Sequence, residues 1–137
     1  MAIDPRLHEY VVKEQLYLDG TVIIEEGSVG NWVFVILEGS ARAKKKTDKG
    51  QITLDVLNEG DIFGEMEFLE GAKRPRTASL VASGDVWLGI LDVERLLRDY
   101  QMVSPKLRIL IRSLMAKYKE TTAKLCARVG APSDRAT

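Results

Sequence analysis

The chain has 137 residues, of which 45% are hydrophobic and 29% charged, and its 20 acidic and 20 basic side chains cancel. This fits one soluble globular domain and excludes a chain dominated by disorder, collagen-like repeats or low complexity. A single histidine, His8, and a single cysteine, Cys126, exclude an internal disulfide, a multi-histidine metal centre and a Cys/His zinc site built within one chain.

The charge is unevenly placed. Eight basic and two acidic residues follow Ser104, a net +6 that residues 1–104 balance at −6. Such a tail reads as a solvated helix face that complements the acidic body, or as a helix for an acidic partner. No apolar run approaches the roughly 18 residues of a membrane helix. Residues 1–6 lack the charged-then-apolar pattern of a signal peptide. A cytoplasmic protein is expected.

Residues 1–14 read as a lead-in helix. From Gln15 the texture changes to short apolar runs (17–18, 21–24, 32–37, 41–47 and 52–57) divided by Asp19-Gly20, Glu26-Gly27, Glu38-Gly39 and a turn at 47–50. β-branched and aromatic residues punctuated at this spacing predict short antiparallel strands in a sandwich or barrel. Two more strands are expected at 77–81 and 86–91. Trp32 and Trp87 fall in strand patterns and are expected in the core or half-buried. Lys44, Lys45, Lys46 and Lys49 read as a solvated hairpin. Between the strands, residues 63–73 break the β pattern, and residues 64–69 suit one or two helical turns.

From Asp92 the period becomes helical. Asp92 is a candidate N-cap, with Leu96, Leu97 and Tyr100 on one face. Ser104 and Pro105 restart the chain as N-cap and first helical residue. Leu107, Leu110, Ile111, Leu114, Met115 and Tyr118 then form an amphipathic stripe, expected to be core or interface. Thr122, Leu125 and Val129 extend it, and Gly130 ends it.

The segment with most chemistry is Gly60-Asp61-Ile62-Phe63-Gly64-Glu65-Met66-Glu67-Phe68-Leu69, together with Pro75-Arg76-Thr77-Ala78-Ser79-Leu80. Gly64 permits close backbone approach at the start of a short helix. A helix start offers free N–H groups to an anion, and Arg76 supplies a forked cation. Glu65 beside such an anion makes sense if it accepts hydrogen bonds from ligand hydroxyls, as carboxylates do from a ribose. A phosphate and a ribose hydroxyl in one β-framed pocket suggest a nucleotide.

The Phe63-Gly64-Glu65-Met66 and Pro75-Arg76-Thr77-Ala78-Ser79-Leu80 pair resembles the phosphate-binding cassette of cyclic nucleotide-binding domains, the family of the catabolite activator protein and the protein kinase A regulatory subunits. The glycine-punctuated strands upstream resemble the same family's β-roll, so the likeness covers about residues 12–128. It implies a mainly β fold, a jelly-roll-like double-stranded β-helix with flanking N- and C-terminal helices. One domain is expected: lead-in 1–14, β-roll 15–91 with cassette 63–80, and helices 92–129.

The resemblance further implies a ligand site of Phe63, Gly64, Glu65, Met66, Glu67, Arg76, Thr77 and Ala78 for cAMP or cGMP. Glu65 would accept the ribose 2′-OH. Arg76 would pair with the cyclic phosphate, and the hydroxyl of Thr77 would reach a guanine. The last helix would be a lid over the base or a dimer contact. Binding would shift the helices against the roll and signal to a protein partner or a second copy through residues 105–129. No metal, cofactor or catalytic set is expected. Relatives that regulate transcription continue into a helix-turn-helix module; this chain ends within about ten residues of its last helix, so direct sequence-specific DNA binding is not expected. Two departures stand out: Glu67 replaces a usual small residue, and residues 71–74 lengthen the cassette. They support an alternative, a degenerate member that binds no nucleotide and serves as a protein-interaction module.

Overall fold

Residues 33–37 form an unbroken apolar run because both faces of their strand are covered. The computed structural model describes residues 4–70 and 75–130, save the side chains of Met66, Glu67, Glu70 and Val129. In chain order the elements are α1 (Pro5–His8), β1 (Val11–Tyr17), β2 (Val22–Ile24), β3 (Phe34–Thr47), β4 (Gly50–Leu57), β5 (Ile62–Phe63), α2 (Glu65–Glu70), β6 (Ser79–Leu91), α3 (Val93–Gln101) and α4 (Pro105–Gly130). Every strand pair is antiparallel. The main order is β1-β6-β3-β4, with β2 also on β6 and β5 also on β3.

Alternation along β3 sorts its side chains between two cores. Phe34 and Ile36 join Leu57, Leu80, Val86 and Leu88 inside the roll. Val33 and Val35 face the other way, against Leu7, Tyr10, Phe68, Val93 and Leu96 from the helical side. Truncating a fully buried side chain here, such as Leu88, costs about 2–5 kcal/mol.

The lead-in is only partly helical: it divides between α1 and the start of β1. Asp4 caps α1 through the Arg6 N–H at 2.9 Å, and the helix ends at His8. Strand β1 starts at Val11 because that residue already pairs with Leu91. The two strands expected at 77–81 and 86–91 are one, β6. Its register with β3 runs from Phe34↔Ile90 to Lys44↔Ser79, so pairing carries across the polar residues between the two apolar runs. The turn after Thr47 forms as expected, with the Thr47 hydroxyl on the Gly50 carbonyl at 2.7 Å.

Both predicted caps form. Asp92 accepts from the Arg95 N–H at 3.2 Å, and Ser104 Oγ from the Leu107 N–H at 3.2 Å. Each such cap is worth about 1 kcal/mol. Helix α3 is tied to the N-terminal segment: the Asp92 N–H donates to the Tyr10 carbonyl at 2.7 Å, and the Tyr10 hydroxyl bonds Asp99. Arg95 lies 5.1 Å over the Tyr10 ring, a cation–π contact, and donates to the Glu9 carbonyl.

The two tryptophans fall at the half-buried end of the expectation and outside the core: Trp32 is 53% exposed and Trp87 41%. Trp32 precedes β3 and stacks on Phe34 at 6.4 Å, so one ring face is covered and the other open. Trp87 alternates with buried Val86 and Leu88 and therefore points to the outer sheet face. Helix α4 also turns a different side inward. Its covered line is Arg108, Ile111, Met115, Lys119, Thr122 and Cys126, a 3.6-residue repeat. Of these, Ile111, Met115 and Thr122 belong to the predicted stripe. Leu107, Leu110, Leu114, Tyr118 and Leu125 are exposed.

Candidate functional site

A cavity of about 340 Å³ opens between the cassette, the β3–β4 hairpin and α4. That volume falls at the lower end of small-molecule sites. The cassette contributes Phe63, Gly64, Glu65, Thr77 and Ala78; the hairpin contributes Ala43, Lys45, Leu54, Asp55 and Leu57; α4 contributes Tyr118, Lys119, Thr122 and Ala123. Five of the eight residues expected at the site therefore share one wall.

Arg76 approaches from behind that wall. Its main chain is clamped to the loop before β3: the Arg76 N–H donates to the Ser28 carbonyl at 2.7 Å, and its carbonyl accepts from the Gly27 N–H at 2.8 Å. Its Nη2 donates to the Trp32 carbonyl at 2.8 Å, and the residue is only 3% exposed. Arg76 lines a second cavity of about 330 Å³ behind the cassette, shared with Trp32, Gly30 and Phe34.

Gly64 is what lets arginine and cassette meet. Its φ is +95°, and a Cβ there would lie 2.4 Å from the Trp32 carbonyl oxygen and 2.8 Å from Arg76 Nη1. The guanidinium thus occupies the space that any other residue at position 64 would fill. The Gly64 carbonyl accepts the Phe68 N–H at 3.2 Å, the hydrogen bond that starts α2. Met66 and Glu67 lie in α2, but their side chains are outside the described set, as are residues 71–74 of the lengthened cassette.

Sequence reasoning missed the hairpin's part. Lys45 is not a solvated hairpin lysine. Its Nζ donates to the Thr77 carbonyl at 2.8 Å and lies 3.4 Å from a Glu26 carboxylate oxygen. The other Glu26 oxygen accepts the Lys46 N–H at 2.9 Å, and the Glu26 N–H donates to buried Ser79 at 2.8 Å. These bonds lash the exit of the cassette to β3. Nothing in the lysine run distinguishes Lys45 from Lys44 or Lys46; only the register does. Asp55 was missed because β4 carries a bulge, with Ala43 opposite Asp55 but Lys44 opposite Thr53. The extra residue brings Leu54 and Asp55 both to the cavity, breaking simple alternation.

Among the described residues no group of three or more His, Cys, Asp or Glu side chains is placed to hold a metal. No helix among them is long and apolar enough to cross a membrane.

Residues 14–101 match the family model of the cyclic nucleotide-binding domain. The chain is 40% identical over 83 residues to the cAMP-dependent protein kinase regulatory subunit of Aspergillus fumigatus, covering 61% of this chain and 18% of that protein. It spans between 10% and 22% of the length of the curated relatives it matches. Among solved structures, an EAL enzyme with cAMP and cyclic di-GMP bound superposes with a TM-score of 0.76 at 26% identity, over 82% of this chain and 30% of that one. The Thermus thermophilus catabolite activator protein does so with 0.65 at 28% identity, over 89% and 57%. The matched model, the cassette around Gly64 and the antiparallel roll agree: this chain belongs to the cyclic nucleotide-binding domain family.

Proposed function

We propose that the chain is a cytoplasmic regulatory module that binds cAMP or cGMP and passes the event to a partner through α4, without catalysing a reaction. One observation carries this reading: the same cavity has the cassette on one wall and Tyr118, Thr122 and Ala123 of α4 on another. A ligand touching both walls changes the free energy of docking the helix, so occupancy and helix position become linked. In this reading Glu65 accepts the ribose 2′-OH. Arg76 and the chain around Gly64 take the phosphate, and Thr77 meets the base or phosphate. Phe63, Met66, Glu67 and Ala78 complete the surround.

The exposed stripe on α4 supports the output side. Leu107, Leu114, Tyr118 and Leu125, with half-buried Ile111, follow the alternating three- and four-residue spacing of a coiled-coil seam. A second copy of the chain or another amphipathic helix fits it.

Thermal unfolding tests the proposal, with cAMP, cGMP and a linear nucleotide as control. Ligand at about 100 times its Kd adds about 2.7 kcal/mol, which raises the midpoint by at least about 5 °C at this size. The rise should come with a cyclic nucleotide only. It should shrink in Arg76→Lys, which keeps the charge but loses the fork. No shift at millimolar concentration would refute it.

The alternative, a scaffold without ligand, is favoured by one feature, Glu67 in α2 within the cassette. A carboxylate there opposes a cyclic phosphate. If wild type shows no shift but Glu67→Ala does, the scaffold reading is the better one.

A further inference from the structure

We infer that the cavity behind the cassette is a second small-molecule site, suited to an aromatic amino acid; this goes beyond the reading above and does not rest on it. The cavity, of about 330 Å³, lies at the open end of the roll, and Arg76 is the one cassette residue among the described residues that lines it. The mouth of a β-barrel is a common place for a ligand, and this volume has room for one ring with a short polar head. Its floor is apolar: Ile24, Phe34 and Ile90 are buried members of the roll core. Tyr17 and Trp32 also line it, and Trp32, stacked on Phe34 across one face, leaves its other face open. A flat ring entering here meets aromatic partners.

The rim is charged in a way that packing does not require. Lys13, Gln15 and Tyr17 pair with Ile90, Leu88 and Val86, so they share the inner face of the sheet with three core residues. That face is apolar deeper in the roll and turns polar at Gln15 and Lys13. Glu25 reaches the same cavity from the end of β2. Among the described residues, the Lys13 and Glu25 side chains form no hydrogen bond or ion pair, with one another or with a third group. A free ammonium and a free carboxylate therefore border one apolar slot.

That combination selects among ligands. An α-amino acid carries a carboxylate and an ammonium on one carbon. Lys13 complements the first and Glu25 the second, each through a charge-assisted hydrogen bond. An aromatic acid without the amine brings a carboxylate near Glu25 with nothing to offset it, and an aromatic amine without the acid does the same to Lys13. An aliphatic amino acid leaves the floor and the Trp32 ring uncovered. Gly30 lines the end next to Arg76 and puts no side chain into the space; a Cβ there would stand 3.4 Å from the Trp32 ring and 3.7 Å from Arg76 Nη2.

NMR titration of the isotope-labelled chain tests this with L-phenylalanine, phenylacetate, phenethylamine and L-alanine. L-phenylalanine should move the amide signals of Gln15, Gly30 and Trp32 saturably, with a half-point of about a millimolar, in keeping with so small a ligand. The three partial probes should each bind at least about tenfold more weakly. Lys13→Met should weaken L-phenylalanine about tenfold while leaving phenethylamine no weaker, and Glu25→Gln should do the same while leaving phenylacetate no weaker. Both residues are exposed, so both variants should keep the wild-type spectrum elsewhere. Saturating cAMP should leave the L-phenylalanine shifts in place. No saturable shift with L-phenylalanine, equal affinity for a partial probe, variants that bind as wild type does, or displacement by cAMP would each overturn the inference. A wild type that takes L-phenylalanine but no cyclic nucleotide would uphold it and remove the sensor reading instead.

Discussion

Replacing Gly64 by alanine separates two costs that coincide at the start of the cassette. The first is conformational: at φ +95° an L-residue is strained, by about 1–2 kcal/mol. The second is steric. The new Cβ would lie 2.4 Å from the Trp32 carbonyl oxygen and 2.8 Å from Arg76 Nη1. The first neighbour is backbone and the second is a buried, hydrogen-bonded guanidinium, so relief requires moving the cassette against the loop before β3. Overpacking of this kind costs about 1–3 kcal/mol more. Gly50 is the internal control, with φ +106° and nothing within 4 Å of where a Cβ would stand. Gly50→Ala carries the conformational cost alone. Thermal melting should place Gly64→Ala below Gly50→Ala by about 3–10 °C. The cyclic-nucleotide shift should persist in Gly50→Ala and vanish in Gly64→Ala. Equal melting of the two variants would refute the reasoning, because the close approach of Trp32 and Arg76 would then constrain nothing.

Glu65→Gln should weaken cyclic-nucleotide binding about tenfold, and a 2′-deoxy ligand should erase the difference from wild type; calorimetry with both ligands checks it. Leu114→Asp should leave the stability of the monomer within about 0.5 kcal/mol of wild type, since Leu114 is 60% exposed. The same change should abolish self-association or partner capture, read by sedimentation. The Tyr10 hydroxyl is pushed above its ordinary pKa, first by its hydrogen bond to Asp99 and then by burial and the Asp99 charge. A raised folded-state pKa gives stability that is complete below the unfolded value near 10 and lost as pH rises through the folded value. Tyr10→Phe should therefore be less stable than wild type at neutral pH, and the gap should close in strongly alkaline buffer. A gap independent of pH in chemical denaturation would contradict this.

Much of the frame is legible in local chemistry. Asp92 and Ser104 are caps because a short polar side chain precedes an apolar-periodic run, and they cap in the structure. Thr47 to Gly50 turns where the glycine's positive φ permits. Gly64, Glu65 and Thr77 meet at one cavity because the cassette is nearly contiguous in the chain. What escapes the sequence depends on relations between segments. The bulge at Leu54 is set by the pairing of β4 with β3, and without it Asp55 points away from the cavity. The helix stripe shows which α4 residues are apolar, but the sector that packs is chosen by the surfaces of β3 and α2. Hence Lys119 is covered while Leu114 is exposed. Lys45 differs from its lysine neighbours only through Glu26 and Thr77, residues 19 and 32 positions away.

Trp32 gives the protein an optical reporter of its own. Its main-chain carbonyl holds Arg76, its indole stacks on Phe34, and its open ring face meets solvent. The chain has just one other tryptophan, Trp87, on the outer face of β6. In a Trp87→Phe protein the only indole left would be the one beside Arg76, in the loop before β3. Any rearrangement around Arg76 would then appear as a change in emission wavelength or quenching, without a label attached to ligand or protein.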